Sequence, residues 1–121
     1  MQMLSRNPAA VYRRVALDAR IEASGSADLT RICLEEAQAA LGQALVAVER
    51  RSSAVREPLV RAQTIMLWLA RSVAPEHPLG ASLKAFYGGL AGQVGTQILQ
   101  ADARVLEEIR KDISDVLAAA G

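Results

Sequence analysis

A chain of 121 residues is long enough to bury one core without metal or disulfide support, so a single domain spanning 1–121 is expected. Its net charge is +1, acidic and basic residues are interspersed, and Arg50-Arg51 is too little to track phosphates, which argues against nucleic-acid binding. No apolar run reaches the ~18 residues a membrane span needs, and the opening MQMLSRNPAAVYRR lacks the basic-then-apolar layout of a secretory signal.

The lone Cys33 cannot form an internal disulfide, which fits a reducing compartment, and a cytoplasmic location is expected. Aromatic residues are only 3% of the chain, so Leu, Ile, Val and Ala must supply the packing. Proline is confined to Pro8, Pro58, Pro75 and Pro78, and the intervening stretches show helical rather than alternating periodicity. An all-α fold follows.

The first predicted helix runs from about Pro8 to Arg20, with Asn7 as N-cap and Pro8 at the favoured first position. Its apolar stripe is Tyr12, Val15, Ala16 and Ala19, narrow and mostly small. The Ser/Gly-rich EASGSAD interrupts it. A second helix, from about Ala27 to Arg51, places Leu29, Ile32, Cys33, Ala37, Ala40, Leu41, Ala44, Leu45 and Val48 at spacings of three and four. Ser26 suits its cap, Asp28 its positive first turn, and Arg50 and Arg51 its negative end.

Pro58 opens a third helix to about Val73, with Leu59, Ala62, Met66, Leu69 and Val73 on one stripe. Val60, Ile65, Leu67 and Trp68 widen that stripe, as expected of a helix central to a bundle. APEHPLG breaks the chain. A fourth helix from about Ala81 to Gln100 turns Leu83, Phe86, Tyr87, Leu90, Val94 and Ile98 inward. Asp102 caps a fifth, carrying Val105, Leu106, Ile109, Ile113, Val116 and Leu117. Four long helices with short connectors predict an antiparallel up-and-down bundle over about 27–119, with the helix at about 8–20 as a short accessory.

Chemistry is thinly provided. A buried di-metal carboxylate site needs Glu-x-x-His on two helices, and the single histidine, His77, lies between two prolines in a predicted exposed loop. Cys33 has no histidine on a neighbouring stretch to activate it and reads as a small buried hydrophobe. Glu35-Glu36 and Glu107-Glu108 point about 100° apart within each pair and read as solvated faces. No enzymatic activity, metal or cofactor is expected.

FYGGLAGQVG places Gly88, Gly89, Gly92 and Gly95 inside a helical pattern, each costing about 1 kcal/mol relative to Ala. Close helix–helix approach, with Gly88 and Gly92 on one face, is the favoured reading. A shallow groove where a partner's chain lies against backbone is the alternative. Phe86 and Trp68 read as core, whereas Tyr12 is either a plug in the bundle surface or a residue that a partner displaces.

In their order, these segments resemble the FliS family of flagellin-specific export chaperones over nearly the whole chain. Asn7, Pro8 and Tyr12 match the family's Asn-Pro-Tyr-like start, Ala23-Ser24 its turn, and Leu29, Ile32, Cys33, Glu35 and Ala37 its helix opening. Leu59, Ala62, Gln63, Ile65 and Leu69 are similar to its Leu-x-x-Ala-Gln-x-Ile-x-x-x-Leu segment. Leu83, Phe86, Tyr87 and Leu90 resemble its Leu-x-x-Leu-Tyr segment, and Leu106, Glu108 and Ile109 its ending. No single motif is specific; order and spacing carry the match. Ala9, Leu34 and Glu36 depart from the family's first aromatic, its helix Tyr and its Gly, and the turn is one residue longer, which thins the usual aromatic surface.

The resemblance implies a cytoplasmic, non-enzymatic chaperone that binds the disordered C-terminal segment of flagellin and prevents premature polymerisation in support of type III flagellar secretion. Other flagellar export proteins are further candidate partners, and the chain is expected as a monomer or weak homodimer. Expected partner-binding residues are Tyr12 and Val15 in a mobile cover, with Leu29, Ile32, Cys33, Leu83, Phe86 and Tyr87 at or near a groove. The alternative is a non-enzymatic all-α interaction or self-associating module with a different partner.

Overall fold

The computed structural model describes residues 26–120. The expected accessory helix at about 8–20, with Tyr12 and Val15, the EASGSAD turn after it and the capping side chain of Ser26 lie outside the described residues. Four helices and no strands make up the described chain: α1 (Ser26–Glu49), α2 (Arg56–Ser72), α3 (Gly80–Leu99) and α4 (Ala103–Ala120). The chain divides into two compact units, Met1–Ile32 and Cys33–Gly121. Of the first, only the opening turns of α1 are described, with Ile32 buried and Leu29 half-buried.

Within the second unit, the apolar stripes predicted from spacing supply the core. Cys33, Ala37, Ala40, Leu41, Ala44 and Leu45 of α1 are buried, as are Leu59, Ala62, Met66 and Leu69 of α2. Tyr87, Leu90 and Val94 of α3 and Leu106, Ile109 and Ile113 of α4 complete the set. Leu34 and Ala47 are also buried, outside the predicted stripe. Truncating a core leucine such as Leu41 or Leu59 to Ala removes packing worth about 2–5 kcal/mol.

Contacts between helices fix their running directions. Gln38 of α1 donates to Ser114 Oγ of α4, and the Arg110 guanidinium lies 3.8 Å from where a Cβ on Gly42 would stand. The partner number falls as the α1 number rises, so the two helices are antiparallel. Arg61 Nη2 donates to Gln43 Oε1 at 2.6 Å between α2 and α1. Gln63 Nε2 donates to the Ala91 carbonyl at 3.3 Å, while Val73 packs on Gly80, so α2 and α3 also run antiparallel.

The helix ends correct two sequence expectations. Arg50 and Arg51 do not close α1 as cations of a last helical turn, because the helix ends at Glu49 and Arg51 adopts φ 54°. Arg51 N–H donates to the Val48 carbonyl at 3.0 Å and Ser52 N–H to the Ala47 carbonyl at 2.8 Å. These are the two reverse bonds of a Schellman ending, with arginine where glycine is usual. α2 begins at Arg56 rather than at Pro58, which is accommodated within the first turn, where a missing N–H costs nothing.

Asp102 caps α4 as expected: its Oδ1 accepts from Arg104 N–H at 2.9 Å and from Val105 N–H at 3.4 Å. Its own N–H donates to Oε1 of the buried Gln97 at 2.6 Å, so the α3–α4 corner leaves that amide oxygen satisfied.

Candidate functional site

The expected site residues in the second unit divide by depth. Cys33 and Tyr87 are buried, each only 4% exposed, while Leu83 and Phe86 are half-buried on α3. Phe86 and Tyr87 meet as a tilted pair with ring centroids 5.7 Å apart and planes at 59°. Offset aromatic pairs of this kind hold their geometry through the edge-to-face component.

Burial pushes the Cys33 thiol above its ordinary range, and the Glu36 carboxylate adds to the rise. The Tyr87 phenol is raised first by burial and then by Cys33, which places the two groups within electrostatic reach across α1 and α3. Both stay neutral at physiological pH. This is the environment of a packed interior: a neutral buried thiol is a poor nucleophile. Cys33 and Tyr87 are thus interior packing groups, while Leu83 and Phe86 keep part of their surface open to solvent.

Leu34 of α1 is 1% exposed and belongs to the core.

His77 is exposed, as expected, and it organises the α2–α3 connector. Its N–H donates to the Ala74 carbonyl at 3.0 Å, its carbonyl accepts from Gly80 N–H at 2.9 Å, and its Nδ1 accepts from Leu79 N–H at 2.9 Å. Gly80 fits closely there, since a Cβ would stand 3.1 Å from the Ala74 carbonyl oxygen and the connector would have to give by a few tenths of an ångström. Among the described residues, no group of three His, Cys, Asp or Glu could hold a metal ion, and no helix is long and apolar enough to cross a membrane.

Two expectations about surface and core are overturned. Trp68 is 37% exposed instead of buried, and Val60 and Leu67 are exposed beside it, so α2 is not enclosed on all sides. The α2 core face is already filled by Leu59, Ala62, Met66 and Leu69, which leaves the widened stripe outside. Close helix–helix approach at Gly88 and Gly92 is also wrong. A Cβ on Gly88, Gly89 or Gly92 would meet nothing within 4 Å. Only Gly95 is closely approached, by the amide of Gln63 at 2.7 Å. A local period in the sequence could have flagged the exposed line Val60, Thr64, Leu67, Trp68 and Arg71, whose spacing is helical but whose stripe competes with a better one.

Compared with protein-family models, characterised proteins and solved structures, the chain finds no match.

Proposed function

We propose that this chain is a non-enzymatic, cytoplasmic export chaperone of the FliS type, built as an antiparallel up-and-down four-helix bundle with an accessory helix at about 8–20. It binds the disordered C-terminal segment of flagellin, keeps the subunit from polymerising and passes it to the flagellar type III export apparatus. The order and spacing of the family-like segments, from Asn7-Pro8 through Leu59–Leu69 to Leu106–Ile109, carry this reading.

The physics of the reading is that of coupled folding and binding. A disordered segment can wrap a wide apolar surface such as that offered by Leu83 and Phe86, and the entropy it loses on ordering keeps the complex releasable. A thin cover carrying Tyr12 and Val15 would shield such a surface and yield to a competing chain. Capture of the cognate flagellin's C-terminal segment by the full-length protein tests the reading, and no binding would sink it. Tyr12→Ala should alter either that binding or the stability of the free protein.

The exposed Val46, Leu67 and Leu99 favour one second reading, a self-associating helical module. A stable dimer mass by light scattering, with indifference to flagellin, selects it.

A further inference from the structure

α2 carries two stripes. Leu59, Ala62, Met66 and Leu69 face the core. On the opposite side Glu57, Val60, Thr64, Trp68 and Arg71 follow one another at intervals of three and four, and all five are exposed. Within this second stripe Glu57, Thr64 and Arg71 are seven residues apart, the repeat that keeps the seam of one helix facing another. Neither neighbouring helix covers it. Arg61 on one flank turns to α1, where it donates to Gln43, and Gln63 on the other turns to α3, where it donates to the Ala91 carbonyl. Thr64, at the middle, spends its hydroxyl on the Val60 carbonyl at 2.9 Å, so its methyl group is what it offers outward.

The order of residues is the same in both directions except for charge. Glu57 and Arg71 stand seven residues to either side of Thr64, and the apolar Val60 and Trp68 four to either side. A carboxylate thus ends the stripe at one end and a guanidinium at the other. Glu57 is held only by an exposed contact to Arg61 at 3.8 Å, and Arg71 forms no ion pair among the described residues. A stripe with this symmetry is complementary to itself run backwards, which is the condition a two-fold contact sets.

We propose that a second copy of this chain covers the outer face of α2, the two α2 helices lying antiparallel with Thr64 on the two-fold axis. In that register Glu57 of each copy is level with Arg71 of the other, which gives two ion pairs; a parallel arrangement would set Arg71 against Arg71. Val60 lies within one residue of level with Leu67 of the other copy on one flank. On the other flank Arg61 lies likewise with Trp68, a guanidinium beside an indole. Trp68 is the anchor, being the largest exposed side chain of the stripe and close to its centre. One helix face per copy is a small interface, so the dimer is weak and depends on concentration. The proposal rests on the self-association reading above, to which it gives a face and a register, and it is independent of flagellin capture.

Sedimentation velocity on the full-length protein should show the mass rising with concentration from one chain toward two. Trp68 is the sole tryptophan, so its emission should shift to the blue along the same curve. Trp68→Ala should weaken association by about a hundred-fold. Arg71→Glu and Glu57→Arg, each setting like charges against each other, should weaken it by about ten-fold, and the two together should restore it. Thr64→Cys should form a disulfide between copies on mild oxidation, whereas Ser72→Cys, far from the axis, should not. Circular dichroism checks that each variant is folded; if a charge variant is not, the two cysteine variants decide. A dimer indifferent to Trp68→Ala, a folded double charge variant that fails to restore association, or equal cross-linking at Thr64 and Ser72 overturns this interface and leaves self-association through another face standing. A chain that stays monomeric at all concentrations, with Trp68 emission unchanged, overturns both.

Discussion

The side-chain amide of Gln63 occupies the space that a side chain on Gly95 would need. Its Nε2 stands 2.7 Å from that Cβ position while donating to the Ala91 carbonyl at 3.3 Å. Of the four glycines between Gly88 and Gly95, only Gly95 is thus met by a neighbour, whereas Gly88, Gly89 and Gly92 face open space. Gly88→Ala and Gly92→Ala should each stabilise the fold by about 0.5–1 kcal/mol through helix propensity alone. Gly95→Ala should gain little, because the Gln63 amide must move and give up its bond. Adding Gln63→Ala to Gly95→Ala should recover part of the gain. Urea denaturation of the four variants checks the set, and an equal effect of Ala at Gly88 and Gly95 would contradict it.

Arg51 makes the Schellman ending of α1 at φ 54°, where an L side chain crowds the following carbonyl. Arg51→Gly should raise stability by about 1 kcal/mol, with helix content unchanged. Arg51→Ala keeps the Cβ and should not. The comparison separates backbone strain from loss of the guanidinium.

Asp102→Ala removes the acceptor for two amides at the start of α4 and should cost about 1 kcal/mol in thermal or denaturant unfolding. Asp102→Asn preserves an acceptor and should cost less. If the two variants unfold alike, the carboxamide oxygen does not substitute for the carboxylate at this cap.

Cys33 and Tyr87 give a pH dependence of definite sign. Both are acids whose neutral forms the fold prefers, so the unfolded chain releases their protons first as pH rises. Their contribution is complete below the unfolded thiol value near 9.0 and 10.0 for the phenol, and declines as pH climbs through those values toward the higher folded ones. Stability should therefore fall above about pH 9. Cys33→Ala should flatten the earlier part of the decline and Tyr87→Phe the later part. The native thiol should also react slowly with a disulfide reagent and promptly in denaturant.

Where one strong apolar stripe competes with nothing, sequence and structure agree. Leu41, Ala44 and Leu45 on α1, and Leu106, Ile109 and Ile113 on α4, are buried as their spacing requires. The Asp102 cap is equally legible, since it depends on side-chain chemistry within three residues. On α2, apolar residues surround most of the helix, and periodicity alone could not rank Trp68 below Met66 for burial. That ranking depends on which face the neighbouring helices cover. Gly88 and Gly92 pose the same problem: a missing side chain permits close approach without compelling it. Gln63 decides the matter at Gly95 from 32 positions away in the chain, which no local window contains. The depth of Cys33 and Tyr87 was legible from their stripes, while the electrostatic coupling between them arises from residues 54 positions apart, which no local window contains.

The glycines of α3 also bear on how the protein breathes. A helix with this many glycines has little reason to persist by itself, so its backbone order is borrowed from Met66, Leu69 and the other residues packed beneath it. Amides on the Gly88–Gly92 side should exchange with solvent deuterium through small local openings, well before those of α1 or α4.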